Sequence, residues 1–232
     1  MNVVITGANK GIGKSIAIKF ASVGYNLFLC ARNLDLLNQT ALEIQEQFPA
    51  VKIKVKSADL SEKEEVFAFA EWCLHHAVPD ILVNNAGVYL PGNTIDEPED
   101  NLEVMMNTNL YSAYHLTRKL VPAMAKKGSG HIFNMCSIAS NHAYDGGGGY
   151  SISKFALNGF SKNLRHELKG SGIKVTAVFP GAVLTDSWAN FDNSNGRIME
   201  PADIASMILA ASNLSPQAVV EEIVIRPQLG DL

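Results

Sequence analysis

Short runs of apolar, largely β-branched residues alternate with longer stretches of helical period along the chain. The runs are Val3-Val4-Ile5-Thr6, Asn26 to Ala31, Val51 to Val55, Ile81-Leu82-Val83, Ile132-Phe133-Asn134-Met135-Cys136, Ile173 to Phe179 and Val219 to Ile225. The stretch Ile132-Phe133-Asn134-Met135-Cys136 reads as a buried strand. Between the runs lie amphipathic stretches. One runs from a glycine turn through Phe20, one carries Leu34, Leu37, Ala41 and Ile44, and one opens at Ser61 with Glu64 three residues on, the spacing of a capping box. A long helix is expected from Glu97 to Lys127, interrupted by Asn107 and Asn109, another through Ile152, Phe155, Ala156, Leu157, Phe160 and Leu164, and a last one from Pro201. Strand and helix in strict alternation predict an α/β fold: a doubly wound parallel sheet of about seven strands with helices on both faces.

Composition narrows this picture. At 232 residues and 47% hydrophobic content the chain can bury one well-formed core, and no break in composition divides residues 1–232 into two domains. A net charge of −4 argues against nucleic acid or a membrane surface as partner. No apolar run approaches the roughly 20 residues that span a bilayer, and no charged-then-apolar leader precedes the first strand. Cys30, Cys73 and Cys136 are odd in number and far apart, as reduced core thiols would be, so a cytoplasmic location is the expectation.

The first strand runs into Gly7-Ala8-Asn9-Lys10-Gly11-Ile12-Gly13. Glycines let the backbone approach a pyrophosphate whose charge is met by amides at a helix start. The spacing is G-x-x-x-G-x-G rather than G-x-G-x-x-G. Gly13-Lys14-Ser15 also matches the end of a nucleoside-triphosphate loop, but Ala8 stands where that loop begins with glycine. The second strand ends in Ala31-Arg32, the place that faces the adenine ribose of a dinucleotide. Arginine there accommodates the extra phosphate of NADP, and Lys10 could supply a second cation. Asp59 follows the third strand, and Asn84-Asn85-Ala86-Gly87 ends the fourth. Residues 1–90 thus read as a dinucleotide-binding half and 91–232 as a catalytic and substrate half, within one Rossmann-type domain.

Tyr150 and Lys154 are four residues apart, which stacks phenol and ammonium on one helix face. A nearby cation favours phenolate and should lower the tyrosine pKa from roughly 10. Ser137 lies at the carboxyl end of the fifth strand, where open α/β sheets place ligands. Gly146-Gly147-Gly148-Gly149 reads as a mobile approach to that site, and residues 186–200 as a loop over substrate.

Together these stretches resemble the short-chain dehydrogenase/reductase family along essentially the whole chain, and in particular its NADP-preferring, 3-oxoacyl-carrier-protein-reductase-like members. Thr6-Gly7 through Gly13 is similar to the family's T-G-x-x-x-G-x-G, Asn84 to Gly87 to its N-N-A-G, and Pro180-Gly181 to its P-G. The resemblance implies a catalytic set of Asn109, Ser137, Tyr150 and Lys154, with Asn109 preferred to Asn107 because it precedes Leu110. It implies cofactor contacts at Gly7, Asn9, Lys10, Gly11, Ile12 and Gly13, and at Arg32, Asp59 and Leu60. It adds Asn85, Ala86 and Gly87, then Tyr150 and Lys154, then Pro180, Gly181, Val183 and Thr185, and no metal.

The chemistry so implied is reduction of a ketone or aldehyde by NADPH, a 3-oxoacyl thioester being one substrate, by a homodimer or homotetramer. Asn109 would anchor a water that relays protons to Lys154. Lys126, Lys127 and Arg165 could meet an acidic carrier protein. The chain departs from the family at its end, where Val224-Ile225-Arg226-Pro227-Gln228 replaces an Asp-Gly-Gly strand. The rival class is a non-catalytic dinucleotide sensor or scaffold.

Overall fold

Successive residues of a strand point to opposite faces of the sheet, and the computed structural model, which describes residues 1–188 and 191–230, divides its core by that rule. The strands are β1 (Asn2–Thr6), β2 (Asn26–Ala31), β3 (Ile53–Ser57), β4 (Ile81–Asn84), β5 (Gly130–Met135), β6 (Ile173–Pro180) and β7 (Glu222–Ile225). The helices are α1 (Gly11–Ala21), α2 (Leu34–Gln47), α3 (Lys63–His76), α4 (Asp100–Met106), α5 (Ser112–Lys127), α6 (Gly148–Leu168) and α7 (Pro201–Ser212). Val3, Ile5, Leu27, Leu29 and Val83 pack on one face with Ile16 and Phe20 of α1, Leu37 and Ile44 of α2, and Ile204 and Ile208 of α7. Val4, Phe28, Leu82 and Ile132 pack on the other with Phe69 of α3, Leu116 and Leu120 of α5, and Leu164 of α6. Burying a side chain of this size stabilises by about 1.5–3 kcal/mol.

The seven strands form one sheet in the order β3-β2-β1-β4-β5-β6-β7, all parallel. Val4 sits beside both Phe28 and Leu82, so β1 is central and the order reverses between β1 and β4. That reversal opens a crevice at the carboxyl ends of the two strands. No helix among the described residues is long and apolar enough to cross a membrane.

Several boundaries differ from expectation, each for a local reason. β3 starts at Ile53 rather than Val51 because the Val51 amide turns back to the Phe48 carbonyl. β7 is confined to Glu222–Ile225 because the Val220 carbonyl accepts the Thr176 hydroxyl instead of joining the ladder. Ser61 caps nothing: Asp59 takes both its amide and its hydroxyl, and α3 begins at Lys63. The stretch expected as one helix from Glu97 enters α4 at Asp100, widens into a π turn at Asn107–Tyr111 and continues as α5. The glycine run is not a mobile approach. Gly147 and Gly149 are buried, Gly148 begins α6, and a Cβ on Gly148 would lie 2.5 Å from the Gly92 carbonyl oxygen. Of the loop expected over the site, residues 189–190 lie outside the described residues.

Candidate active site

The crevice is built first by backbone. Gly7 (φ 63°) and Gly11 (φ 53°) hold left-handed conformations that favour glycine. Gly13 is required for a different reason, since a Cβ there would stand 2.2 Å from the Gly7 carbonyl oxygen and 2.6 Å from Asn85 Nδ2. The turn is tied to the end of β4. Thr6 Oγ1 accepts from the Asn85 and Ala86 amides at 2.9 and 2.8 Å, and Asn85 Nδ2 donates to the Thr6 and Gly7 carbonyls. A glycine cradle with no side chain between backbone and crevice, opening α1, fits a pyrophosphate. The Asn9 carbonyl is fixed from behind by the Thr40 hydroxyl.

Cationic groups stand at two edges of the turn. Lys10 is paired with Asp186, which lies just beyond Thr185 on the opposite side of the crevice. Arg32 extends from the end of β2 with Nη1 4.0 Å from Asp59 Oδ2. The Leu60 side chain belongs to the core beside α3, which leaves only its backbone to meet a ligand.

The second half of the crevice is a cavity of about 680 Å³. It brings together Ile12, Asn85, Gly87, Ser137, Tyr150, Lys154, Pro180, Gly181, Val183 and Thr185 from the expected set. Gly7, Asn9, Lys10, Gly11, Gly13, Arg32, Asp59, Leu60, Ala86 and Asn109 lie outside its lining. Gly11 is near its rim, where a Cβ would come 3.3 Å from Thr185 Cγ2.

Ser137 follows β5 by two residues and is fixed by its own turn: its Oγ accepts from the Ala139 amide, and Ser140 Oγ accepts from the Ser137 amide. Ser137 and Tyr150 line the same cavity, and the Ser137 hydroxyl is one of the groups that bear on the Tyr150 phenol. One turn along α6, Lys154 Nζ donates to the Met135 carbonyl at 2.7 Å and lies 5.6 Å from the Tyr150 ring centre. The expected lowering of the tyrosine pKa does not occur. Burial disfavours the phenolate and raises the Tyr150 pKa, outweighing the Ser137 hydroxyl, which pulls it down. Lys154 is instead the perturbed base, pushed down to about 8 by burial. Tyr150 is therefore a protonated phenol at neutral pH, which is the form an acid needs.

Asn109 stands behind the cavity in the π turn, a distortion frequent at functional sites. It is buried, and its amide is fully engaged. Oδ1 accepts from the Val88 amide at 2.7 Å, while Nδ2 donates to the Val88 carbonyl at 3.0 Å and to Ser153 Oγ at 2.9 Å. The side chain holds the segment after Gly87. That segment is close to the lysine: a Cβ on Gly87 would lie 3.2 Å from Asn109 Oδ1 and 3.5 Å from Lys154 Nζ.

Sequence reasoning missed the other wall of the cavity, formed by Val88, Tyr89, His142, Tyr144 and Trp188. Tyr89 meets Tyr150 edge-on, with ring centres 5.1 Å apart. The available signal was an aromatic two residues beyond Gly87 and another just before the glycine run.

Three comparisons bear on this site. A family profile described as short chain dehydrogenase matches residues 1–196. The chain is 34% identical to sepiapterin reductase of Chlorobaculum tepidum over 238 aligned positions, covering 99% of this chain and 97% of that one. Among solved structures, a metagenomic short-chain oxidoreductase in complex with NADP superposes with a TM-score of 0.86 at 31% identity, covering 98% of this chain and 97% of that one. Actinorhodin polyketide ketoreductase with NADPH superposes with a TM-score of 0.89 at 27% identity, covering 100% of this chain and 97% of that one.

Proposed function

The chain belongs to the short-chain dehydrogenase family of oxidoreductases, and we propose that it is an NADPH-dependent reductase that converts a ketone or aldehyde to an alcohol. The observation that carries this reading is that Ser137, a protonated Tyr150 and Lys154 line one cavity, with Lys154 Nζ 5.6 Å from the Tyr150 ring centre. Arg32 and Lys10, at the end of β2 and in the glycine turn, support the phosphate-bearing cofactor.

When bound, NADPH supplies the hydride that goes to the carbonyl carbon. The Ser137 hydroxyl holds the carbonyl oxygen, and the Tyr150 phenol gives that oxygen its proton as negative charge develops there. The phenolate left behind is stabilised by the field of the Lys154 ammonium. Asn109 acts through Val88, fixing the backbone beside Lys154. Gly87, Pro180, Gly181 and Val183 offer main chain and small side chains along the face where the nicotinamide would lie, and Thr185 offers a hydroxyl at its edge.

A 3-oxoacyl thioester is one substrate of the proposed class. Of the cations named for a carrier protein, Lys127 pairs with Asp80 and Arg165 with Glu221, while Lys126 is exposed. A homo-oligomer is supported by exposed apolar residues on adjoining elements: Leu102 and Val104 of α4 and Tyr111 of the π turn.

The test is loss of NADPH absorbance with a panel of diketones, 3-oxo esters and acetoacetyl thioesters, run beside Tyr150→Phe. Turnover by the wild type, a fall of roughly 10²–10⁴-fold in the variant and unimpaired NADPH binding are expected. An inert panel with tight NADPH binding would favour a dinucleotide sensor.

A further inference from the structure

A second cavity, of about 550 Å³, lies beside the first and is lined by Asn93, Ile95, Ser151, Ile152 and Phe155, with Ala143 and Tyr144 common to both. Tyr144 is held by its neighbours. Its ring rests on Gly147, where a Cβ would come within 2.8 and 2.9 Å of the ring carbons Cε1 and Cδ1. Tyr89 stands in the same cavity wall, with its hydroxyl donating to the Gly146 carbonyl at 3.3 Å. Tyr89 in turn packs edge-on against Tyr150, so the partition is braced against the proton donor itself. The loop that carries Tyr144 is pinned at its other end, with the Gly92 amide bonded to the Gly146 carbonyl and the Gly146 amide to Asn93 Oδ1.

Beyond the tyrosine the second cavity is a cleft between the 93–95 segment and α6, mostly apolar in surface although Asn93, Thr94 and Asp145 also line it. Ile95, Ile152 and Phe155 expose large apolar side chains along it. Its lining also holds one buried hydroxyl, Ser151 Oγ, with no hydrogen-bond partner. A cleft of this composition suits an alkyl or acyl chain that reaches it from the reacting carbonyl.

We propose that Tyr144 is a specificity-determining residue: it walls the apolar cleft off from the catalytic cavity and so restricts the enzyme to compact carbonyl substrates. This rests on the reductase reading above. Removing the ring joins the two cavities and admits a long chain on the far side of the carbonyl. The phenol is dispensable for the partition, and the ring is not.

The experiment compares ethyl 3-oxobutanoate with ethyl 3-oxodecanoate as substrates, and by calorimetry as ligands of the NADPH-loaded protein, for the wild type and for Tyr144→Ala, Tyr144→Leu and Tyr144→Phe. The wild type and Tyr144→Phe should favour the short ester, whereas Tyr144→Ala should shift the long-to-short ratio of kcat/KM by about tenfold or more toward the long ester, with Tyr144→Leu between them. Tyr144 is half exposed, so these variants are expected to fold, and melting curves check it. A ratio unchanged in both alanine and leucine variants overturns the partition. If the wild type reduces neither ester the reductase reading is what suffers, and the calorimetric ratio still decides whether Tyr144 separates the cavities.

Discussion

Asn109 grips both polar groups of Val88, accepting from its amide at 2.7 Å and donating to its carbonyl at 3.0 Å. One side chain thereby fixes the chain between the end of β4 and Tyr89, next to the lysine that lines the cavity. Asn109→Ala removes both hydrogen bonds to the part-buried backbone of Val88, at about 0.5–1.5 kcal/mol each. We expect a lower melting temperature and a fall in kcat larger than the change in NADPH affinity. Equal kcat with lowered stability would reduce Asn109 to a structural brace.

Gly13 has no room for a methyl group, with the Gly7 carbonyl oxygen 2.2 Å from where its Cβ would stand. Gly13→Ala must push α1 away from the turn, an overpacking cost of roughly 1–3 kcal/mol. NADPH affinity, read by fluorescence titration, should fall sharply, and retained affinity would remove the cradle from the account.

Arg32 is exposed and 4.0 Å from Asp59, free enough to swing toward a ribose phosphate. Arg32→Asp should reverse the preference for NADPH over NADH, measured as a ratio of dissociation constants. The Lys10 contribution is tested beside it: releasing the lysine by Asp186→Asn should leave the preference intact or strengthen it.

His131 is buried beneath β5 with Nε2 bonded to Thr176 Oγ1 at 2.7 Å and Nδ1 without a partner. Thr176 gives its own proton to the Val220 carbonyl, so Nε2 is the protonated nitrogen and the ring is neutral. Burial, with a smaller push from Lys174, lowers its pKa to about 3. The folded pKa lies below the unfolded value of roughly 6.5, so between those limits the unfolded chain binds the extra proton. Stability is therefore full above about pH 6.5 and declines toward pH 3, by up to about 1.4 kcal/mol per unit. Urea midpoints across this range should show the slope, and His131→Gln should flatten it.

Lys154, held at about 8 by burial in the free protein, should titrate there. An anionic cofactor bound nearby favours the ammonium, so NADPH binding near pH 8 should take up protons. Calorimetry in buffers of different ionisation enthalpy measures that uptake, and Lys154→Met should abolish it.

The order of strands and helices was legible because the inner strands β1, β2 and β4 are covered on both faces and read as apolar runs, while the edge strand β3 keeps the alternation of Ile53-Lys54-Val55-Lys56. The glycine turn, the Asn84 to Gly87 segment and the Ser137, Tyr150, Lys154 spacing were legible because they are local: each sits within one turn, one strand end or one helix face. Elements that end through long-range hydrogen bonds were misread. β7 is cut short by Thr176, and the Asn107–Tyr111 π turn accompanies an amide bonded to residues twenty-one and forty-four positions away.

The chain's own residues thus determined the architecture and the identity of the chemical groups, because periodicity and short-range spacing are written directly in order. Folding decided their electrostatics and the shape of the pocket. Whether Lys154 or burial governs the Tyr150 phenol depends on how much water the packed crevice excludes. That Tyr144 stands between two cavities depends on a glycine beneath its ring and on a second tyrosine from another strand's end. Desolvation and partition both arise only where distant segments are brought into contact.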